Sequence, residues 1–365
     1  ICAIPHGSGN VKKISDYLCE FAKERNLWFK QDESYNVIIK KPASDSESKA
    51  APVILQGHID MVAVKEEDCI KDMEKEGLDL EIQDGYLSAK QTSLGGDDGI
   101  AVAYSLALLA STDIPHPPLE AVFTVDEEIG MLGAAAIDLS DLKGKIMLNM
   151  DSEDEGIFLA GCAGGASVRC DIPVTKGTET GVRRTLTLKG FTGGHSGTEI
   201  ICQRANTNVL MGRILMELNN EMSFFVTSIS GGEKDNAIAK VGKLELLIQP
   251  SDAQTFTETM EKITATLKRE YEVTDPDMQI VITEDNEEKE MLVYHPSCTM
   301  KLMLALVHLP YGVVKMSNDI KGLVQTSLNL GIIQETQDCV RLCYSVRSSV
   351  GSEKEWLIEK LYSLT

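Results

Sequence analysis

The sequence has no apolar stretch near the roughly 20 residues that a membrane-spanning helix needs, and no low-complexity segment. Its first residues, Ile1 to Asn10, show neither a basic n-region nor an apolar h-region, so no secretory signal is expected. Cysteine is sparse and scattered: nine residues, an odd number, with no C-x-x-C pair. That argues against a disulfide framework and for a reducing compartment, the cytoplasm. Cys162, in Gly161-Cys-Ala-Gly-Gly165, has no activating His at an obvious position and reads as structural. Positive charge is short as well. Against 56 Asp and Glu stand 35 Lys and Arg, a net charge of −21 that nucleic-acid phosphates would repel.

What remains is a globular composition, 43% hydrophobic and 25% charged, over 365 residues, a length that predicts two domains. Up to about residue 175, strand-like and helix-like segments alternate, the sign of an α/β layer fold with a mostly parallel sheet. Ile14 to Arg25 has helical apolar spacing, and Gly99 to Ala110, apolar nearly all round, predicts a buried helix. Ser44 to Lys49 reads as a solvated loop. After Pro173 come strands at Leu186 to Leu188, Ala239 to Ile248 and Asp338 to Arg347, and helices at Asn206 to Asn219 and Ser251 to Glu270. This half reads as a separate α+β domain. The expected division is 1–181 and 182–365.

Three apolar runs in the first domain read as buried strands, and each ends in ligand chemistry. Val53-Ile-Leu55 leads to His58 and Asp60, Ala121-Val-Phe-Thr-Val125 to Asp126-Glu127-Glu128, and Ile146-Met-Leu148 to Asp151. Open α/β sheets gather ligands at the carboxyl ends of their strands. Residues two apart on a strand share a side, so His58 and Asp60 can face one site. Taken singly, each motif has a plainer reading. His-x-Asp also describes a hydrogen-bonded core histidine, Asp97-Asp98 before a helix also describes a cap, and an acidic run also describes a solvated face. Their joint occurrence points to a hydrolytic centre of two metals, zinc or manganese before magnesium. One of the adjacent carboxylates would be left free as a base.

Beyond the strand ends, the strings Gly57-His-Ile-Asp60-Met, Thr92-Ser-Leu-Gly-Gly-Asp-Asp-Gly99, Asp126-Glu-Glu-Ile-Gly-Met-Leu-Gly133, Gly161-Cys-Ala-Gly-Gly165, Gly193-Gly-His-Ser-Gly197, Arg204-Ala-Asn206 and Tyr344-Ser-Val-Arg-Ser-Ser349 run through the whole chain. They resemble the aminoacyl-histidine dipeptidases (Xaa-His or beta-alanyl-histidine dipeptidases, peptidase D) of the aminoacylase-like zinc metallopeptidases. The resemblance implies a metallopeptidase domain carrying an inserted lid and dimerisation domain. It also implies a small peptide substrate, a homodimer, and two divalent ions, zinc foremost with manganese or cobalt as alternatives. It makes His58 and Asp151 ligands of one metal, Glu128 a ligand of the other and Asp97 the bridge. Asp60 would orient His58, and Glu127 would be the general base. His195 would stabilise the oxyanion, and Arg347 and Asn236 would hold the substrate. After Ile238 the family's usual Pro is Ala239. The family's last ligand, a His in a His-Ala-Gly-Leu-Glu-Cys-like string, matches neither His295 nor His308, and the resemblance places it beyond Thr365. A di- or tripeptidase or aminoacylase of the same clan, or a non-catalytic fragment, are the alternatives it leaves open.

Overall fold

The computed structural model describes residues 1–152 and 155–364, and the chain divides into two compact units, Ile1–Leu159 and Ala160–Thr365. The boundary expected at 181/182 falls inside a continuous strand, Lys176–Lys189. The preceding strand, Gly164–Pro173, pairs along its length with Cys339–Ser348. Long-range ladders of this kind leave no trace in local composition, so the sequence placed the division some twenty residues late. Thr365, the end of the expected second domain, lies outside the described residues.

In the first unit, α1 (Lys12–Glu24) is followed by β1 (Trp28–Gln31), β2 (Val37–Lys41) and β3 (Val53–His58). A small hairpin, β4 (Leu80–Gln83) with β5 (Tyr86–Ala89), precedes α2 (Gly96–Ala110), β6 (Leu119–Thr124), the short α3 (Leu132–Ala136) and β7 (Ile146–Asn149). The sheet order is β1-β2-β6-β3-β7. β3 runs parallel to both β6 and β7, while β2 joins β6 antiparallel. The half of the sheet that carries the ligand motifs is thus parallel, with an antiparallel extension on one side. Apolar residues of α1 and α2, among them Ile14, Leu18, Val102 and Leu106, pack against Val37, Ile39, Ala121 and Phe123 of the sheet. Every residue of β6 is buried, as suits the central strand.

Two local expectations change. β7, expected as a buried strand, is exposed, with Ile146, Met147 and Leu148 at 60%, 59% and 48%. It is the edge strand and, among the described residues, pairs only with β3. Helix α2 is not buried all round: Ile100 and Tyr104 face outward while Val102, Leu106 and Leu109 face the core.

The second unit holds β8 (Gly164–Pro173), β9 (Lys176–Lys189), β10 (Gly194–His195), α4 (Thr207–Glu221), β11 (Phe225–Gly231), β12 (Ala237–Ile238) and β13 (Gly242–Ile248). It continues through α5 (Ala253–Glu270), β14 (Gln279–Tyr294), α6 (Pro296–His308), β15 (Gly312–Met316), β16 (Val324–Glu335), β17 (Cys339–Ser348) and α7 (Gly351–Leu364). An eight-stranded sheet runs β14-β9-β13-β11-β16-β17-β8, with β15 also on β16. One apolar core ties the four helices to this sheet. It is the α+β unit expected from the sequence.

Candidate metal centre

His58 ends β3, opposite Thr124 at the end of the parallel β6, so the loop 125–128 starts beside it. Gly57 lets the strand come close to α2: a Cβ there would lie 2.6 Å from both Ala101 Cβ and Asp98 Oδ2. The loop after β6 is braced from below. Buried Asn36 accepts from the Val125 N–H at 3.1 Å and donates to the Gly133 carbonyl at 3.0 Å. Asp126 sits at φ +53°, and its carboxylate accepts from the Gly9 N–H at 2.7 Å. A non-glycine residue held at positive φ costs energy and persists only where its surroundings over-determine it.

The expected ligands meet here. One group of donor atoms, all within 4.8 Å of one another, comes from His58, Asp97 and Glu128; a second comes from His58, Asp98 and Asp151. His58 Nε2 lies 3.0 Å from Asp97 Oδ1, and Nδ1 lies 2.9 Å from the carbonyl oxygen of Asp60. An Nδ1–H donated to that carbonyl leaves the Nε2 lone pair aimed at the carboxylates, the tautomer a metal ligand requires. Asp60 does more than flank the histidine. Its buried carboxylate accepts from the Glu127 N–H (3.0 Å), the Glu128 N–H (3.3 Å) and the Ser8 hydroxyl (2.8 Å), with His58 Nδ1 at 3.4 Å.

Asp97 and Asp98 do not cap α2. Neither has helical dihedrals, and Gly95 occupies the cap position. Asp98 instead turns inward, 1% exposed, and one of its oxygens accepts from the His58 N–H at 3.2 Å. Its other oxygen is buried without a hydrogen-bond partner. Together with Ser8 and Asn36, Asp98 is what the sequence reading missed.

The electrostatics describe a site with surplus negative charge. Burial holds back the His58 cation, but Asp60, Asp97 and Asp151 outweigh it and push the imidazole up to about 10. Burial, then Asp151, pushes Asp98 up to about 7. Burial raises Glu127 and Glu128 too, with Asp97 adding to the effect on Glu128. Asp60 stays below the usual carboxylate range although burial opposes it, because His58, the Glu127 N–H and Ser8 hold its anion. One imidazole among crowded carboxylates, one of them with an orphaned buried oxygen, fits divalent cations of the zinc and manganese kind. Such a group also has a testable cost without metal. The folded-state values of Asp98 and His58 are raised, so their stabilising contribution is complete below the unfolded values and is lost as pH rises through about 7 and then about 10. Chelator-treated protein should therefore lose thermal stability from pH 5 to pH 9, and Asp98→Asn should flatten the lower part of that fall.

In the second unit, His195, Asn236 and Arg347 are also brought together. The β10–β12 pair sets His195 opposite Ala237, and the Ser196 N–H donates to the Asn236 carbonyl at 2.9 Å. Glu199, paired with Arg204 at 2.7 Å, accepts from the His195 N–H at 2.8 Å. Arg347 Nη2 lies 3.4 Å from His195 Nε2. Burial, then the Arg347 charge, lowers the His195 pKa, which favours the neutral imidazole. A cavity of about 310 Å³ opens here, lined by His195, Asn236, Lys234 and Lys240 among others.

Comparison with known proteins agrees with this picture. Residues 186–275 match the family described as peptidase dimerisation domain. The cytosol non-specific dipeptidase of Escherichia coli is 32% identical over 369 residues, covering 100% of this chain and 75% of that protein. The crystal structure of aminoacylhistidine dipeptidase from Vibrio alginolyticus superimposes with a TM-score of 0.78 at 34% identity, covering 100% of this chain and 74% of that one. With a relative this similar over the whole of this chain and three quarters of its own length, the chain belongs to the family of the cytosol non-specific and aminoacyl-histidine dipeptidases.

Proposed function

We propose that this protein hydrolyses dipeptides, aminoacyl-histidine dipeptides foremost, with two divalent metal ions. The observation that carries the reading is the convergence, at the ends of β3, β6 and β7 and the start of α2, of His58 with Asp97 and Glu128 on one side and with Asp98 and Asp151 on the other. In this reading His58, Asp97, Glu128 and Asp151 would hold the two ions, with zinc the best fit to the donor set and manganese or cobalt as alternatives. Bound there, divalent ions supply Lewis acidity toward the scissile carbonyl and bring the pKa of a water toward neutrality. Glu127, free of ligand duty and raised by burial, takes the proton of the attacking water and passes it to the leaving amine nitrogen. Asp60 fixes both His58 and the backbone of Glu127. His195, neutral beside Arg347, offers an N–H to the developing oxyanion. Arg347 holds the terminal carboxylate, for which a planar guanidinium is suited, and Asn236 makes a further contact with the substrate.

The word cytosol in the Escherichia coli relative's name and nine free cysteines support a cytoplasmic location. Among the described residues no helix is long and apolar enough to cross a membrane. The dimerisation description of residues 186–275 supports a homodimer. The test is release of free histidine from Xaa-His dipeptides by the metal-loaded protein, abolished by chelation and restored by zinc or manganese. The relatives' names differ, one non-specific and one aminoacylhistidine, so a dipeptide panel sets the breadth. No hydrolysis of any dipeptide at full metal occupancy would overturn the proposal.

A further inference from the structure

One residue grips His195 from both sides of its backbone. The carboxylate of Glu199 accepts the His195 N–H through Oε2 at 2.8 Å, and the Glu199 N–H donates to the His195 carbonyl at 3.0 Å. The other carboxylate oxygen, Oε1, takes Arg204 Nη1 at 2.7 Å, and the same nitrogen donates to the Gly193 carbonyl at 2.6 Å. Arg204 in turn stands on fixed ground. Two residues on, Asn206 caps α4 by accepting the Asn208 N–H at 2.9 Å, and its buried amide donates to the Leu330 carbonyl at 3.0 Å. Two glycines of Gly193-Gly-His-Ser-Gly197 leave the room these contacts need. A Cβ on Gly194 would lie 2.5 Å from Glu199 Oε2 and 2.6 Å from Arg204 Nη1, and one on Gly197 would lie 3.0 Å from the His195 ring and 3.3 Å from the Arg347 guanidinium.

The turn that Glu199 closes also decides which ring nitrogen carries the proton. The Thr198 N–H donates to His195 Nδ1 at 3.3 Å. A main-chain N–H can only donate, so Nδ1 presents its lone pair and, in a neutral imidazole, the proton sits on Nε2. The Thr198 hydroxyl, 3.2 Å from Nδ1, can rotate to donate as well. On the far side Arg347 Nη2, also a donor, stands 3.4 Å from Nε2, and a neutral ring has one lone pair for the two claimants. They differ in freedom. The Thr198 N–H is fixed by the turn, whereas Arg347 is a long side chain whose Nε is buried without a hydrogen-bond partner among the described residues. A carboxylate bound to that guanidinium would draw its hydrogens away from the imidazole.

We propose that Glu199 and Arg204 are positioning residues which, through the turn 195–199, hold His195 with its proton on Nε2. An Nε2–H is the donor that an oxyanion needs; with the proton on Nδ1, the ring would turn a lone pair toward the developing negative charge. Both residues act through His195. The His195 N–H, then Arg204, holds the Glu199 carboxylate below the usual glutamate range, so the grip persists across neutral pH. The oxyanion duty of His195 rests on the function proposed above; the grip and the tautomer do not.

Two variants of the full, metal-loaded chain test it. Glu199→Gln cannot keep both bonds, because its amide has one acceptor oxygen and its NH2 then faces either Arg204 or the His195 N–H. Arg204→Met keeps the stem and removes the donors. Each should lower kcat by about 10- to 100-fold, the scale of misplacing a catalytic group, with KM and bound metal near parental. In a His195→Ala background either substitution should cost less than about twofold more, because residues that act through one group are not additive. A merely structural role would cost as much in both backgrounds, and that result would overturn the proposal. Nitrogen NMR of the imidazole rings reads the tautomer directly. Among the six histidines, the His195 signal is the one lost in His195→Ala. It should show the proton on Nε2 in the parental protein and a share on Nδ1 in Glu199→Gln. A parental proton on Nδ1, or a tautomer unmoved in both variants, also sinks the proposal. If His195→Ala keeps full activity, the oxyanion role fails, and the NMR measurement alone decides the positioning.

Discussion

Glu127→Gln should lower turnover by about a hundred- to ten-thousand-fold, the usual contribution of a positioned general base, while bound metal and KM stay near the parental values. The loop geometry separates this residue from its neighbour. Glu128 shares a donor cluster with His58 and Asp97, whereas among the described residues Glu127 belongs to no such cluster and is held through its backbone, by the N–H to Asp60 Oδ1. Glutamine keeps the shape and that backbone bond but cannot take a proton. Glu128→Gln, in contrast, should lose metal together with activity. The pH profile supplies a second readout. A base works when ionised, and burial raises Glu127 above the ordinary glutamate range. The acid limb of kcat/KM should therefore lie above that range and vanish in the residual activity of Glu127→Gln. Metal analysis beside steady-state kinetics makes the check, and a Glu127→Gln enzyme with parental turnover would remove the residue from its role.

The reason such residues could be read in advance is that their chemistry coincides with strong local signals. Apolar strands are visible in sequence, strand ends gather ligands in an α/β sheet, and His58, Glu127 and Glu128 each follow a buried run while Asp151 follows an apolar run that lies exposed at the sheet edge. The parts that escaped depend on contacts distant in sequence. Ser8 reaches Asp60 across 52 positions and Asn36 reaches Val125 across 89, and neither has a motif to announce it. Asp98 looked like a helix cap because its inward turn depends on non-helical dihedrals at the start of α2. β14 was hidden by its own composition: an edge strand whose centre reads Glu284-Asp-Asn-Glu-Glu-Lys-Glu290 has the charge of a solvated loop, and edge strands carry charge for good reason.

Asp60 is where the metal ligands and the base become a single structure, and Asp60→Asn should therefore damage both at once. Its side chain is fully shielded from solvent, and a carboxylate is acceptor-only, which suits the donors around it. On one oxygen stands the Glu127 N–H with His58 Nδ1 close by; on the other stand the Ser8 hydroxyl and the Glu128 N–H. An asparagine amide must turn its NH2 toward one of these pairs. The Ser8 side is the less costly choice, because a hydroxyl can rotate to accept, but the Glu128 N–H then faces a donor. A buried donor without a partner costs about 1–3 kcal/mol of stability, and displacement of Glu128 moves a ligand. Metal affinity and activity should each fall by about 10- to 100-fold, the range for losing a group that orients ligands. This joint loss differs from the turnover-only defect of Glu127→Gln, so chelator competition run beside kinetics distinguishes the two. The metal-free protein gives an independent sign: Asp60 is the foremost group holding the His58 imidazole up near 10, so in Asp60→Asn that histidine should titrate at lower pH. Imidazole NMR would show it, and an unmoved His58 titration together with parental metal affinity would mean that Asp60 does not couple the two.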